Sequence, residues 1–232
     1  MKRKKHKHTK KIQLKNNLQE IYQDINKTKK QNQKVRLLAV SKTHPKETLQ
    51  QAAALGIKYF GENKVQEAEK KAPHLPRNTE LHLIGHLQSN KIKKALKIFN
   101  VIQTVDSLAI AEKINQQAEI IKKTQRIYCQ INIGNDPNKT GFTTKGIETN
   151  INKIIALPHL AVEGIMTILP MGETEEETKR LYKETKKIRD KISKLYNIDL
   201  QLSMGMSSDY KIAIKCGATL VRIGTKLFGE RQ

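Results

Sequence analysis

Tryptophan is absent from this 232-residue chain, and the aromatic residues together make up only 4% of it. Modules that bind single-stranded nucleic acid stack bases on interleaved aromatic side chains, a pattern this sequence does not contain. Only two cysteines occur, Cys129 and Cys216, too few for a disulfide framework. No run approaches the 18 consecutive apolar residues that would suggest a membrane span. Acids are scarce as well: 22 Asp and Glu stand against 44 Lys and Arg, giving a formal charge of +22. The opening MKRKKHKHTKK holds seven of those basic residues and no acid, and it lacks the apolar stretch of a secretory signal. Residues 1–12 therefore read as a basic, disordered tail, and the expected setting is the cytoplasm.

The other 221 residues share the remaining +15 without concentrating it. A nucleic-acid-binding function would thus rest on the tail alone, through nonspecific contact with polyanions. An apolar fraction of 37% can furnish a core.

Leu14, Leu18, Ile21 and Ile25 recur at steps of four, three and four, one apolar stripe of a helix. Beyond it the chain alternates. Short apolar runs at VRLLAV, IKYFG, LHLIG, VIQTV, RIYCQINI, LAVEGIMTIL, LQLSM and LVRIG are separated by segments of helical character. Eight strands alternating with helices predict a parallel sheet, and the count favours a closed (β/α)₈ TIM barrel, class α/β, over an open sheet. With no linker or repeat left over, residues 13–232 are expected to form a single domain.

In such barrels the working site lies where strands end. Reading those positions in order gives Ser41 and Lys42, Glu62 and Asn63, Gly85 and His86, Asp106 and Ser107, Asn132, and Met166 and Thr167. The last two strands finish in SMGMSSD and RIGT. Asn90 and Ser107 suit helix N-caps. Gly205 and Gly224 would let backbone amides approach an anion, with Ser203, Ser207 and Thr225 adding hydroxyls and a helix starting near Ser208 facing the same place. Lys42 stands where an apolar strand stops, a position that an ordinary solvated loop would equally explain. Arg222 is the oddity, a cation between Val221 and Ile223 in a strand covered on both faces. Alternation puts it on one side with Leu220 and Gly224, so it needs either an interior acid such as Asp106 or Glu163, or a ligand acceptor at the mouth. His82 and His86 straddle a strand end and do not make a zinc pair. Cys129 and Cys216 read as packing residues.

The segments AVSKTHP, YFGENKVQEAEKK, LHLIGHLQSNKIK, QINIGNDPNKTGF, LSMGMSSDY and GATLVRIGTKLFGER resemble, in order, those of the pyridoxal-phosphate homeostasis family (the YggS/PROSC family). The likeness covers nearly the whole chain after the first helix. It implies a barrel like the N-terminal domain of alanine racemase that holds pyridoxal 5′-phosphate (PLP) as a Schiff base. By resemblance Lys42 forms that bond. Ser203, Gly205, Ser207, Gly224 and Thr225 lie in the phosphate-holding segments, Arg222 faces the pyridine nitrogen, and Asn63 lines the pocket. The family is known as a PLP carrier and regulator of vitamin B6 pools, which brings PLP-dependent apoenzymes into view as partners. The rival reading is a PLP-dependent racemase or decarboxylase of low activity. Against it stands an arginine at the pyridine nitrogen, which disfavours the protonated ring that catalysis uses as an electron sink. The chain also has no residues left for the second domain that completes a racemase site.

Overall fold

The apolar runs become eight parallel strands in a computed structural model that describes residues 2–230, with side chains from residue 11 onward. They are β1 (Arg36–Val40), β2 (Tyr59–Glu62), β3 (Glu80–Leu83), β4 (Val101–Val105), β5 (Gln125–Ile131), β6 (Leu160–Thr167), β7 (Gln201–Ser203) and β8 (Leu220–Ile223). Each pairs with the next in chain order, and β8 closes on β1 with Leu38 opposite Arg222 and Ala39 opposite Ile223. Nine helices are described: α1 (Lys2–Thr28), α2 (Lys46–Ala54), α3 (Val65–Lys71), α4 (Ile92–Ile98), α5 (Leu108–Ile120), α6 (Thr144–Ile155), α7 (Glu175–Tyr196), α8 (Tyr210–Lys215) and α9 (Thr225–Phe228). The expected TIM barrel is what forms.

Strand alternation sorts the apolar residues into two cores. Leu38, Val40, Ile84, Val101, Tyr128, Met166 and Leu220 pack inside the barrel. Their neighbours in sequence, such as Leu37, Ala39, Ile102, Val221 and Ile223, face the helices and join the larger outer core. Burying both faces requires strands that are apolar almost throughout, which is how they read. The helices contribute stripes, for example Ile147, Ile151 and Ile154 of α6. Cys129 and Cys216 are buried in this outer layer.

The stripe of α1 is buried as its spacing predicts, and the helix lies against the last two helices of the ring. Asn17 donates to Leu227 O at 3.0 Å, Gln33 donates to Ile214 O and Ala218 O, and Tyr210 donates its hydroxyl to Asp24. One expectation changes. The helix runs through the basic segment taken for a disordered tail, so the boundary after residue 12 falls inside α1. Lysine is a good helix former, and no Gly or Pro interrupts it. The side chains of residues 1–10 lie outside the described set. No helix among the described residues is long and apolar enough to cross a membrane.

Candidate functional site

β1 ends at Val40, but its ladder continues one residue, with Ser41 N donating to Gly61 O at 3.0 Å. The chain then turns: His44 N donates to Ser41 O at 3.1 Å, with Lys42 and Thr43 between. Thr43 takes φ of 68°, a left-handed conformation unusual for a β-branched residue and normally supplied by Gly at the third position of such a turn. Lys42, half-buried, is thus held at the corner of a tight turn, on the side of β1 shared with Leu38 and Val40 if the alternation is continued.

Ser41 faces the other way, into a buried cluster against α3. Its hydroxyl donates to Glu62 Oε1 at 2.6 Å. Lys71, only 5% exposed, donates to Ser41 O and Glu62 Oε1 at 2.8 Å each and to Glu67 Oε1 at 2.7 Å. Glu67 Oε1 also accepts from Thr43 N at 2.5 Å. Burial pushes the Glu62 carboxyl up, against the pull of Lys71 and Ser41. For Glu67, burial also acts upward, but the bonds from Lys71 and the Thr43 amide win and hold its carboxyl down.

Arg222 enters the barrel beside this turn, one strand over. It is buried, and no described carboxylate lies within ion-pair distance. Both interior acids weighed as partners are engaged elsewhere: Glu163 with Arg126 at 2.6 Å, and Asp106 with His86 at 3.3 Å. Arg222 instead donates from Nη1 to Ser203 Oγ at 2.9 Å and from Nη2 to Thr167 O at 2.7 Å. The Ser203 hydroxyl donates to Gln103 Oε1 at 2.7 Å, and the Gln103 amide meets His82 Nδ1 at 2.8 Å. Burial lowers the guanidinium below its ordinary value, an effect that Tyr182 and Asp209 oppose; arginine stays a cation regardless.

The expected anion loops also come together, with one member missing. Ser207 Oγ accepts from the amides of Gly224 at 3.3 Å and Lys226 at 3.4 Å, so two backbone donors from the β8 loop converge on one oxygen. Gly205 adopts φ of +91°, and a Cβ there would lie 2.5 Å from Ala213 Cβ. Asp209 fastens this loop by accepting from Met206 N at 2.6 Å and from Tyr182 at 2.8 Å. Thr225 is exposed at the same rim. Ser203 is apart from them, buried beneath the rim with Arg222. Asn63 is half-buried at the end of β2, pressed by Gly85, where a Cβ would meet Asn63 O at 2.2 Å. Ser107 caps α5 by accepting from Ile110 N, whereas Asn90 sits within a short 3₁₀ turn and caps nothing.

Sequence reasoning passed over Lys71 and Gln103. Both carried a signal. Lys71 follows Val65 and Ala68 at three-residue steps on the buried face of α3, and Gln103 alternates with Ile102 and Thr104 in β4, which places it inside with Val101.

These features fit PLP: convergent amides for a phosphate, a buried cation lacking a carboxylate, and a fixed lysine at one end of the barrel. A family model of the N-terminal domain of alanine racemase matches residues 13–232. The pyridoxal phosphate homeostasis protein of Synechocystis is 39% identical over 200 residues, covering 85% of this chain and 92% of that relative. PipY of Synechococcus elongatus, solved with PLP bound, is 33% identical with a TM-score of 0.84, covering 93% of this chain and 100% of its own. Alanine racemase of Clostridium difficile, at 17% identity and a TM-score of 0.78, shares the fold over 93% of this chain and 57% of its own length. The chain belongs to the alanine racemase N-terminal domain family and, within it, to the pyridoxal phosphate homeostasis proteins.

Proposed function

We propose that this protein binds PLP at the C-terminal mouth of its barrel and takes part in PLP homeostasis as a carrier, with Lys42 as the covalent anchor. The observation that carries this reading is Arg222. A buried guanidinium without a carboxylate partner is costly unless a further acceptor arrives, and its neighbour strand leads into the turn that carries Lys42. When bound, PLP supplies an aldehyde that condenses with an amine and releases water.

The roles of the residues follow from their placement. Lys42 offers an amine whose backbone is fixed, so little is lost in orienting it. The amides of Gly224 and Lys226, with the Ser207 and Thr225 hydroxyls and the Gly205 loop, hold a phosphate dianion by neutral donors. Arg222 offers N–H donors to the ring nitrogen and cannot protonate it appreciably, which limits amino-acid chemistry. Ser203 orients Arg222. Asn63 lines the pocket wall beside Gly85. Exchange with PLP-dependent apoenzymes is the expected use of a site that binds the cofactor while turning over little.

The test is a titration of the purified protein with PLP, followed by borohydride reduction and peptide mass mapping. The expected result is a saturable visible band that reduction abolishes, with the phosphopyridoxyl mass on the Lys42 peptide. Labelling mainly at another lysine would overturn the assignment of Lys42, and no saturable band would overturn the function.

A further inference from the structure

The turn that carries Lys42 has an internal contradiction. Its third position is left-handed yet holds Thr43, a residue that resists that conformation. Such backbone persists only where surrounding contacts over-determine it. Here the contacts come from one place. Lys71 bonds the carbonyl of the residue before Lys42, and Glu67, itself gripped by Lys71, accepts the amide of the residue after it. Glu62 completes the cluster by taking both the Ser41 hydroxyl and Lys71 on one oxygen.

The plain alternative is a buried ion pair that only joins α3 to β2. That explains Lys71 with Glu62 and Glu67. It does not explain why the same three side chains also bond Ser41 through its hydroxyl and carbonyl and Thr43 through its amide. Lys42 is the residue between them, and strand alternation carried past β1 puts its side chain on the opposite side. The cluster therefore stands behind Lys42, set to control its backbone without itself engaging the amine.

We infer that Lys71 is a positioning residue for Lys42: with Glu62 and Glu67 it locks the Ser41–Thr43 backbone so that the Lys42 amine is presented to the barrel mouth. This rests on the reading of Lys42 as the anchor. The lock acts on presentation of the amine and leaves the phosphate and ring contacts, which come from β7 and β8, untouched. Covalent capture and noncovalent binding should consequently separate.

Two ligands make that separation measurable. Pyridoxine 5′-phosphate has the phosphate and the ring but an alcohol in place of the aldehyde, so it reports the pocket without the amine. PLP reports both. In Lys71→Met, pyridoxine 5′-phosphate should bind within about threefold of wild type, while borohydride-trapped label on Lys42 should form at least tenfold more slowly and spread to other lysines. Because the buried Glu62 carboxyl loses its cation in that variant, Glu67→Ala provides the second measurement. Glu67 is a quarter exposed, so its loss spares the core while releasing the Thr43 amide, and it should slow capture in the same selective way by a smaller factor. Adding Thr43→Gly to Glu67→Ala should restore part of the rate, since glycine takes the turn without help. Equal capture rates in Glu67→Ala and wild type, or parallel losses for both ligands, would overturn the positioning role while leaving Lys42 as anchor. Wild-type label away from Lys42 would instead overturn the anchor itself.

Discussion

Arg222 Nη1 lies 2.9 Å from Ser203 Oγ, and that hydroxyl donates onward to Gln103 Oε1 at 2.7 Å. A buried cation is thus hydrogen-bonded by neutral groups, with Asp209 acting only from beyond ion-pair distance, and these offset less of its desolvation than a paired carboxylate would. On the proposed reading the folded protein bears this cost for the sake of the ligand, and the two effects can be separated. In Arg222→Met the melting temperature should stay unchanged or rise, while PLP affinity falls by more than tenfold, about 1.4 kcal/mol. Thermal melts and PLP titrations run side by side check this. Stability and affinity lost in proportion would mark Arg222 as a structural residue.

The phosphate should dominate recognition. Two backbone amides already converge on the Ser207 oxygen, a geometry that a phosphate oxygen can share. Pyridoxal, lacking the phosphate, is expected to bind at least tenfold more weakly than PLP by equilibrium titration. Equal affinities would place the anion site somewhere else.

Gly205 is the most sensitive point of that rim. Alanine there must accept a φ of +91° and a Cβ only 2.5 Å from Ala213 Cβ. Gly205→Ala should lose about 1–3 kcal/mol of stability in urea denaturation and bind PLP less tightly as the loop shifts. A variant as stable as wild type would show that the loop relaxes freely.

At the opposite end of the barrel, Glu80 meets His82 at 3.6 Å and Arg126 at 2.7 Å. His82 first, then Arg126, hold its carboxyl down at about 2, from an ordinary 4.5. A depressed folded value means stability that is fully present above pH 4.5 and lost as the pH falls toward 2. The difference in melting temperature between wild type and Glu80→Gln should therefore be constant above pH 5 and shrink below it. A difference that persists undiminished at pH 2 would rule out the linkage.

Amino acids should displace PLP from Lys42 in some cases, shifting the visible spectrum, because that exchange needs only a free amine. Exchange of the α-proton for deuterium, racemisation and CO₂ release should stay near the level of free PLP, since an arginine at the ring nitrogen, the role proposed for Arg222, would leave that nitrogen unprotonated. NMR of a panel of L- and D-amino acids in D₂O gives the answer. Turnover at the 1–10³ s⁻¹ typical of enzymes would make this protein a catalyst.

Much of this architecture was legible because it depends on local pattern. Eight apolar runs gave eight strands, with β2 displaced to Tyr59–Glu62 so that Phe60 meets the outer core and Tyr59 the interior. Arg222 was legible as an interior cation from alternation alone. What its charge met was not, because Thr167, which bonds it directly, and Gln103, which it reaches through Ser203, lie on strands far away in sequence. Ser203 illustrates the difficulty: the expectation placed it with the phosphate donors, and in three dimensions its hydroxyl serves Arg222. Lys71 was hidden for a similar reason. A lysine in a charged helix normally faces water, and only the buried steps from Val65 and Ala68 hinted otherwise.

The closure of β8 on β1 has a further consequence. Lys42 comes from the first strand, while Arg222 and the loops around Ser207 and Gly224 come from the last two, and His44 meets Phe228 across the same seam at 4.9 Å between ring centroids. A growing polypeptide presents its lysine long before the groups that would receive the cofactor exist, so binding is competent only once the ring has shut. Any molecule that recognises the shut form alone draws the equilibrium toward it by mass action. Vitamin supply should thereby bear on the lifetime of the protein: with PLP scarce the shut form loses that support, and proteolysis should be faster.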